Sequence, residues 1–202
     1  MPRLALLLAL LLTAGCTGSP DTRGPFPAGA DLVHEAATAF ASVRSVHFAA
    51  GVNGVLPGFP LRQIEGDATL ADGGTATGTA DVQDGDGHSK FPFTVHDSEG
   101  PYRVSAFLGP AGGLKRLLDG VTDAETEGRE NVDGAPALRV AGRVPAAVAH
   151  SVLAPIDADL NVKVWVADDG GPRRFVRLWV QVPPAGDHLS PVMIELSLTE
   201  QA

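Results

Sequence analysis

Residues 46–55, VHFAAGVNGV, indicate how this chain folds. Apolar residues stand at every second position, with smaller or polar residues between them. Successive side chains of a β-strand point to opposite faces, so this alternation predicts a strand with one buried face. The buried face would carry Val46, Phe48, Ala50 and Val52, and the opposite face His47, Ala49, Gly51 and Asn53.

The same alternation recurs along the chain and predicts an antiparallel sheet. Further strands are expected at Phe91/Phe93/Val95, Tyr102/Val104/Ala106, Leu138/Val140, Val162/Val164/Val166, Val176/Leu178/Val180/Val182 and Val192/Ile194/Leu196/Leu198, with weaker ones over 61–71 and 75–82. Short segments rich in Gly, Asp and Pro separate the runs, among them residues 84–87 (DGDG) and 169–171 (DGG). Such short connections join antiparallel neighbours, and the single apolar face predicts a sheet that is covered on one side.

Four segments have helical character. Residues 31–44 repeat apolar side chains at helical spacing behind Asp31, a candidate N-cap. The other three are residues 111–118, 122–128 and 146–153, the last introduced by Pro145. Together these elements predict an α+β fold. It would be a curved antiparallel β-sheet, a half-barrel of about 9–10 strands, with helices covering its concave face.

The first sixteen residues have the features of an export signal. Arg3 supplies a positive charge, residues 4–12 are an unbroken run of leucine and alanine, and small residues precede Cys16. The run spans about 14 Å as a helix, roughly half of the ~30 Å hydrocarbon core, so it is too short to cross a membrane. Cys16 is the only cysteine in the chain. We interpret it as the lipidation site and the first residue of the mature protein.

An ordinary secretory signal with a chance cysteine is the alternative, because Thr13 stands where a lipobox usually has leucine. The variant is tolerated, so we keep the lipid anchor. The chain then divides into a lipoprotein signal peptide (1–15), a lipidated flexible tether rich in Gly and Pro (16–30) and a single folded domain (31–202). The domain would be held at the cell membrane by its lipid, facing the periplasm or the cell exterior.

The charge of the chain excludes some partners. The formal net charge is −9 and basic residues are not clustered, which argues against nucleic acid and against electrostatic adhesion to anionic lipid. Attachment to the plasma membrane must therefore come from the lipid anchor, for which two acyl chains suffice.

Known catalytic and metal-binding motifs are incomplete in this sequence. Residues 34–38 (HEAAT) begin like the zinc motif HExxH but have Thr38 in place of the second histidine. Residues 84–87 resemble the start of a calcium loop, but Val95 stands where the loop needs glutamate. No serine lies in a GxSxG or SxxK motif. We expect no enzymatic activity, no metal and no cofactor; the acidic residues over 119–127 are most simply a solvated face, although their spacing would also tolerate a cation.

Two tryptophans are predicted to lie on the other face of the sheet. Trp165 and Trp179 alternate out of phase with the valines around them, as do Lys163, Phe175 and Arg177. They would form a partner surface or pack under the flexible spacer, and we favour the second alternative because local structure commonly covers exposed aromatic side chains.

Several segments, in their order and spacing, resemble the LppX/LprAFG lipoprotein family, and within it the LprG branch. They are Cys16 behind the export signal, then residues 45–48 (SVHF), 57–61 (PGFPL), 66–69 (GDAT), 128–134 (GRENVDG), 138–142 (LRVAG), 164–166 (VWV) and 192–197 (VMIELS). The resemblance implies a LolA/LolB-like fold, in which helices close a half-barrel around an apolar cavity that takes the acyl chains of a lipid. It also implies a role in carrying glycolipids, triacylglycerol or related lipids through the actinobacterial envelope.

On this resemblance the chain is a lipid-binding lipoprotein whose partners are an acylated lipid or glycolipid and the plasma membrane. A membrane exporter is a further candidate partner, and we expect a monomer. The expected cavity lining is Phe40, Val43, Phe48, Val52, Phe93, Val95, Val104, Leu117, Val148, Val152, Val164 and Leu178. For each of these residues alone, ordinary core packing is the alternative role.

One segment departs from the family pattern. The family usually carries a longer stretch between the positions of Tyr102 and Gly128, whereas here residues 107–111 (FLGPA) lead directly to 114–118. We expect this shortening to alter the cavity mouth and the size of the ligand. Two other hypotheses remain: a solid-core surface lipoprotein that docks another envelope protein, and a tethered hydrolase, for which the sequence offers no nucleophile.

Overall fold

The computed structural model describes residues 24–70, 74–96, 103–186 and 189–202. Within these residues nine strands form one antiparallel sheet, in the order β4-β3-β2-β1-β9-β8-β7-β6-β5. The strands are β1 (Ser45–Asn53), β2 (Leu61–Thr69), β3 (Thr75–Asp84), β4 (Gly87–His96), β5 (Thr122–Val132), β6 (Ala135–Val144), β7 (Leu160–Ala167), β8 (Phe175–Val182) and β9 (Val192–Thr199). The predicted α+β class with a curved antiparallel sheet is confirmed.

Strand β1, the first strand of the chain, pairs with β9, the last strand. It pairs with β2 on one side and with β9 on the other, whereas all other neighbours in the sheet are consecutive in sequence. The backbone N–H groups of Arg44 and Ser45 donate to the carbonyl oxygen of Ala202 at 2.6 and 3.1 Å. The last residue of the chain is therefore tied to the start of β1.

Four helices lie in the described part of the chain: α1 (Gly29–Phe40), α2 (Val104–Leu108), α3 (Gly113–Asp119) and α4 (Ala146–Val152). Helix α1 packs across β5, β6, β7 and β8, and α3 contacts each of the other three helices. We call the side of the sheet under the helices the inner face. The largest fully buried side chains of this layer include Phe40, Phe175, Leu32, Leu114, Leu118, Leu138, Ile156, Leu160 and Leu198.

The prediction of helix α1 was wrong at both ends. The helix begins at Gly29, with the extended residue Ala28 as its N-cap, so Asp31 lies in the first turn instead of capping it. Gly29 sits against the backbone of Ala124, where a Cβ atom would lie 2.6 Å from the carbonyl oxygen. This close approach fixes the start of the helix. The helix ends at Phe40, four residues before the predicted end.

One predicted helix is a strand in the structure, and one predicted strand is a helix. Residues 122–128 belong to strand β5 and not to a helix, because they pair with β6 and alternate acidic side chains on one face. The predicted strand at Tyr102/Val104/Ala106 is instead the short helix α2, with Tyr102 outside the described residues.

Phe175 was placed on the wrong face of the sheet. The β7–β8 register shifts between Trp165 and Val166, so that Phe175 pairs with Val166 and its side chain is fully buried. Trp165 and Trp179 lie on the predicted outer face and are half-buried. A β-bulge inserts one residue and reverses the alternation, which a strict two-residue period does not anticipate.

The end of the predicted tether contacts the sheet. The Thr126 hydroxyl donates to the carbonyl oxygen of Pro27 at 2.7 Å, and the Arg129 guanidinium lies 4.9 Å from the centre of the Phe26 ring. Residues 26–30 are therefore packed against β5 or part of α1. Cys16 and the signal peptide lie outside the described residues.

Candidate ligand-binding site

The inner face of β1–β4 differs from the rest of the sheet in how it is covered. In the described part of the chain, the extensive contacts between helices and sheet all involve β5–β8. The side chains of β1–β4 on the same face are nevertheless apolar. We call this surface the trough; it consists of Val46, Phe48, Ala50, Ile64, Gly66, Ala68, Ala76, Gly78, Ala80, Phe91, Phe93 and Val95.

Small side chains of β2 and β3 form the floor of the trough, and larger side chains of β1 and β4 form its two walls. The pairing registers place its side chains in three rows across β1, β2, β3 and β4: Phe48-Gly66-Gly78-Phe93, Val46-Ala68-Ala76-Val95 and Ala50-Ile64-Ala80-Phe91. The middle strands β2 and β3 thus contribute mainly glycine and alanine, whereas the flanking strands contribute phenylalanine and valine. Small side chains leave room above the sheet, and the walls offer apolar surface on both sides.

The floor and the β1 wall, formed by Val46 and Phe48, are closed to water, whereas the β4 wall is only partly closed. Ala68, Ala76 and Ala80 are buried, whereas Ile64 and Phe93 are half-buried against the core. On the edge strand β4, Phe91 is 43% exposed. Covering the exposed apolar surface at Ile64, Phe91 and Phe93 with another apolar group lowers the free energy.

The twelve residues predicted to line a cavity fall into three groups. Phe40, Phe48, Leu117, Val164 and Leu178 are buried in the core. Val43, Val52, Phe93, Val104, Val148 and Val152 are half-buried and pack against it. Val95 is half-buried on β4. Only Phe48, Phe93 and Val95 belong to the trough, so the assignment of all twelve as a lining stays a prediction.

Two members of the predicted lining pack between helices. A Cβ atom on Gly113 would lie 2.8 Å from Val152 Cγ1, and one on Gly120 would lie 2.8 Å from Val148 Cγ1. The two valines of α4 therefore fill the space that these glycines leave at either end of α3. This contact holds α4 against α3.

The residues that shape the floor are not revealed by the apolar alternation of the sequence. Gly66, Ala68, Ala76, Gly78 and Ala80 lie in strands whose alternation is weak because their inward members are small. The signal that was present is the recurrence of small residues at every second position in both strands.

The least exposed charged groups among the described residues lie away from the trough. No polar or charged residue of the described chain is buried. The least exposed ion pair joins Arg129 and Asp168 at 3.2 Å, with Arg173 also 2.6 Å from Asp168. These groups connect β5 to the segment after β7, at the half of the sheet that α1 covers.

The described residues contain neither a cluster of metal ligands nor a membrane-spanning helix. No group of three His, Cys, Asp or Glu side chains in these residues could hold a metal ion. No described helix is long and apolar enough to cross a membrane. Residues 84–87 form the tight turn between β3 and β4, with Gly85 at φ 58°, as the sequence predicts.

Comparison with known proteins places this fold in a family. The model of the LppX_LprAFG lipoprotein family matches residues 28–100 and 93–202. The lipoarabinomannan carrier protein LprG of Mycolicibacterium smegmatis is 32% identical over 186 residues, which cover 81% of this chain and 79% of that protein. The protein of the same name from Mycobacterium leprae is 30% identical over 193 residues, covering 83% and 81%.

Solved structures show the same fold at lower identity. The crystal structure of LprF from Mycobacterium bovis has a TM-score of 0.73 and 19% identity, covering 86% of this chain and 92% of that one. The crystal structure of lipoprotein LppX from Mycobacterium tuberculosis has a TM-score of 0.60 and 21% identity, covering 85% and 93%. The matched residues, the relatives and the nine-stranded sheet agree: the chain belongs to the LppX_LprAFG lipoprotein family.

Proposed function

We propose that this protein is a membrane-anchored lipoprotein that binds the acyl chains of a lipid or glycolipid and carries that lipid within the cell envelope. The observation that carries the proposal is the trough, an apolar inner face with a floor of glycine and alanine, few contacts with the helices and a partly exposed wall on β4. Relatives at about 30% identity are named lipoarabinomannan carriers, which supports an acylated glycolipid as the class of ligand.

The chemistry of the trough suits an acyl chain. Each methylene that leaves water contributes about 0.8 kcal/mol, so a chain laid against the partly exposed side chains Ile64, Phe91 and Phe93 gains affinity from length without any specific polar contact. The phenylalanines on both walls supply flat apolar surface. Selectivity would then depend on the length and width of the trough.

The anchor explains how such a carrier reaches its lipid. A lipidated Cys16 lies eight positions before Gly24, the first described residue, and Phe26 and Pro27 contact β5. An extended stretch of that length spans roughly 28 Å at most. The domain therefore stays close to the membrane that donates the lipid, outside the cell membrane.

The test is native mass spectrometry of residues 17–202, which retain every described residue, produced in a lipid-rich actinobacterial host. We expect a stoichiometric acylated lipid. Val95→Trp, on the inner face of β4, should reduce the bound fraction, while its neighbour Thr94→Trp, on the outer face, should not. A protein that carries no lipid and refuses added phospholipid and glycolipid would contradict the proposal and favour a solid-core docking module.

A further inference from the structure

A second concave surface lies on the opposite side of the sheet from the helices. It is an open cleft of about 1320 Å³. Its lining combines outward side chains of β1, β2, β3, β4, β8 and β9 with the loop over residues 54–60, and it also includes the inner-face residues Ala50, Val52 and Ile64. Of the twelve residues predicted to line a lipid cavity, only Val52 borders it.

The floor of the cleft is one continuous row across six strands. The pairing registers align, from β8 to β4, Trp179, Glu195, Gly51, Gln63, Asp81 and Lys90. Strands lie about 4.8 Å apart, so the row is roughly 24 Å long. The cleft is therefore long enough for a chain of linked units.

The row has glycine near its middle and an aromatic side chain at one end. Gly51 and Ala49 lie at the centre of the floor, and a Cβ atom on Gly51 would meet nothing closer than a backbone oxygen at 3.9 Å. Trp179 stands beside them as a half-buried side chain. Arg177 lies 3.3 Å from Glu195 and donates to Ser197 Oγ at 3.0 Å, which holds both of these cleft residues in place.

Several polar side chains of the cleft have unused hydrogen-bonding capacity. Among the described residues, none hydrogen-bonds to the side chain of Asn53, Gln63 or Lys90. The positive and negative charges of the lining nearly balance. Its cations are Arg62 and Lys90, and its carboxylates are Glu65, Asp81 and Glu195. A ligand that suits this surface is close to neutral and both donates and accepts hydrogen bonds.

We propose that this cleft binds a neutral oligosaccharide. The indole face of Trp179 carries partial negative charge and attracts the C–H groups on one face of a sugar ring. Amide and carboxylate side chains along the row exchange hydrogen bonds with sugar hydroxyls. An acyl chain would leave these polar groups unpaired, and an anionic ligand would face more carboxylates than cations.

The site is distinct from the proposed lipid site in its floor row, whose side chains lie on the face of the sheet opposite the trough; Ala50 and Ile64 border both surfaces. The test is titration of the protein with maltotetraose, α-1,6-linked mannotetraose and β-1,4-linked galactotetraose. Tryptophan fluorescence and calorimetry measure the binding. We expect at least one to bind. Gly51→Trp, which fills the floor, should weaken binding at least tenfold, while Gly128→Trp, on the outer face of β5 with open space above it, should not.

The two tryptophans provide a second matched pair. Trp179→Ala should weaken binding at least tenfold, whereas Trp165→Ala, outside the cleft on the same face, should leave it unchanged. Circular dichroism checks that each variant is folded. Failure of all three oligosaccharides to bind, or equal loss in Gly51→Trp and Gly128→Trp, would overturn the proposal. Lipid found by native mass spectrometry in that case would leave the lipid-carrier function intact.

Discussion

Gly66 of β2 and Gly78 of β3 lie opposite each other with no space for a side chain on either. A Cβ atom on Gly66 would overlap the carbonyl oxygen of Thr77, and one on Gly78 would overlap the carbonyl oxygen of Glu65. The two glycines form the centre of the trough floor. Their backbones approach each other closely, which requires glycine at both positions.

Alanine at this pair should destabilise the protein. We expect Gly66→Ala and Gly78→Ala each to lower the free energy of unfolding by about 1–3 kcal/mol, because the new methyl group forces the strands apart. Gly128→Ala is the control, since its Cβ would meet nothing within 4 Å. Urea denaturation measures all three. Equal midpoints for Gly66→Ala and Gly128→Ala would contradict the close approach.

The ion pairs of Asp168 should make stability depend on acidic pH. Burial raises the pKa of the Asp168 carboxyl, but the Arg173 and Arg129 guanidinium groups outweigh it and bring the pKa below its ordinary value. A group with a lowered folded-state pKa stabilises above its unfolded pKa and loses that contribution as pH falls through its folded pKa. Wild-type stability should therefore fall below about pH 4.

Asp168→Asn isolates this contribution. At pH 7 we expect a loss of about 1–3 kcal/mol, because two partly exposed cations lose their partner, and a flatter decline of stability in acid. Asp133→Asn is the matched control, since Asp133 pairs with Arg177 at 2.9 Å but is 60% exposed and should change stability little. Chemical denaturation between pH 3 and 7 (roughly the range in which carboxylates titrate) is the measurement. Parallel pH profiles for Asp168→Asn and wild type would refute the assignment.

His47 should titrate above its ordinary range. Its ring nitrogen Nδ1 lies 2.9 Å from Asp67 Oδ1, and this hydrogen bond outweighs burial and raises the pKa of the imidazole. The resulting stabilisation is present below the unfolded pKa of about 6.5 and is lost as pH rises through the folded pKa. We expect NMR to show a titration midpoint above 6.5. Asp67→Asn should lower it, and an unchanged midpoint would contradict the contact.

Phe26 should hold the beginning of the domain against β5. Phe26→Ala removes the contact with the Arg129 guanidinium, a loss of about 0.5–1 kcal/mol for such a partly exposed cation–π pair. We expect faster amide hydrogen exchange at the start of α1. Leu189→Ala, at a side chain that is 91% exposed, should leave exchange there unchanged. Identical exchange in the two variants would show that the Phe26 contact does not restrain this segment.

Local patterns in the sequence identify most strands because the two-residue period belongs to the chain itself. Val46, Phe48 and the alternating residues after them need no distant partner to indicate a half-buried strand. The period fails where pairing inserts a residue, as at Phe175, or where acidic residues suit an exposed helix as well as a strand face, as over 122–128. Tertiary contacts decide such segments.

The sequence by itself determined the one-sided sheet, the position of α1 to within a few residues and the family resemblance, since all three depend on residue types in a linear order. Only the tertiary structure decided which residues share a surface. The trough floor needs the registers that oppose Gly66 and Gly78, and the outer cleft needs the pairing of β1 with β9 that sets Gly51 beside Glu195. Both depend on contacts between residues far apart in the chain, which no local period specifies.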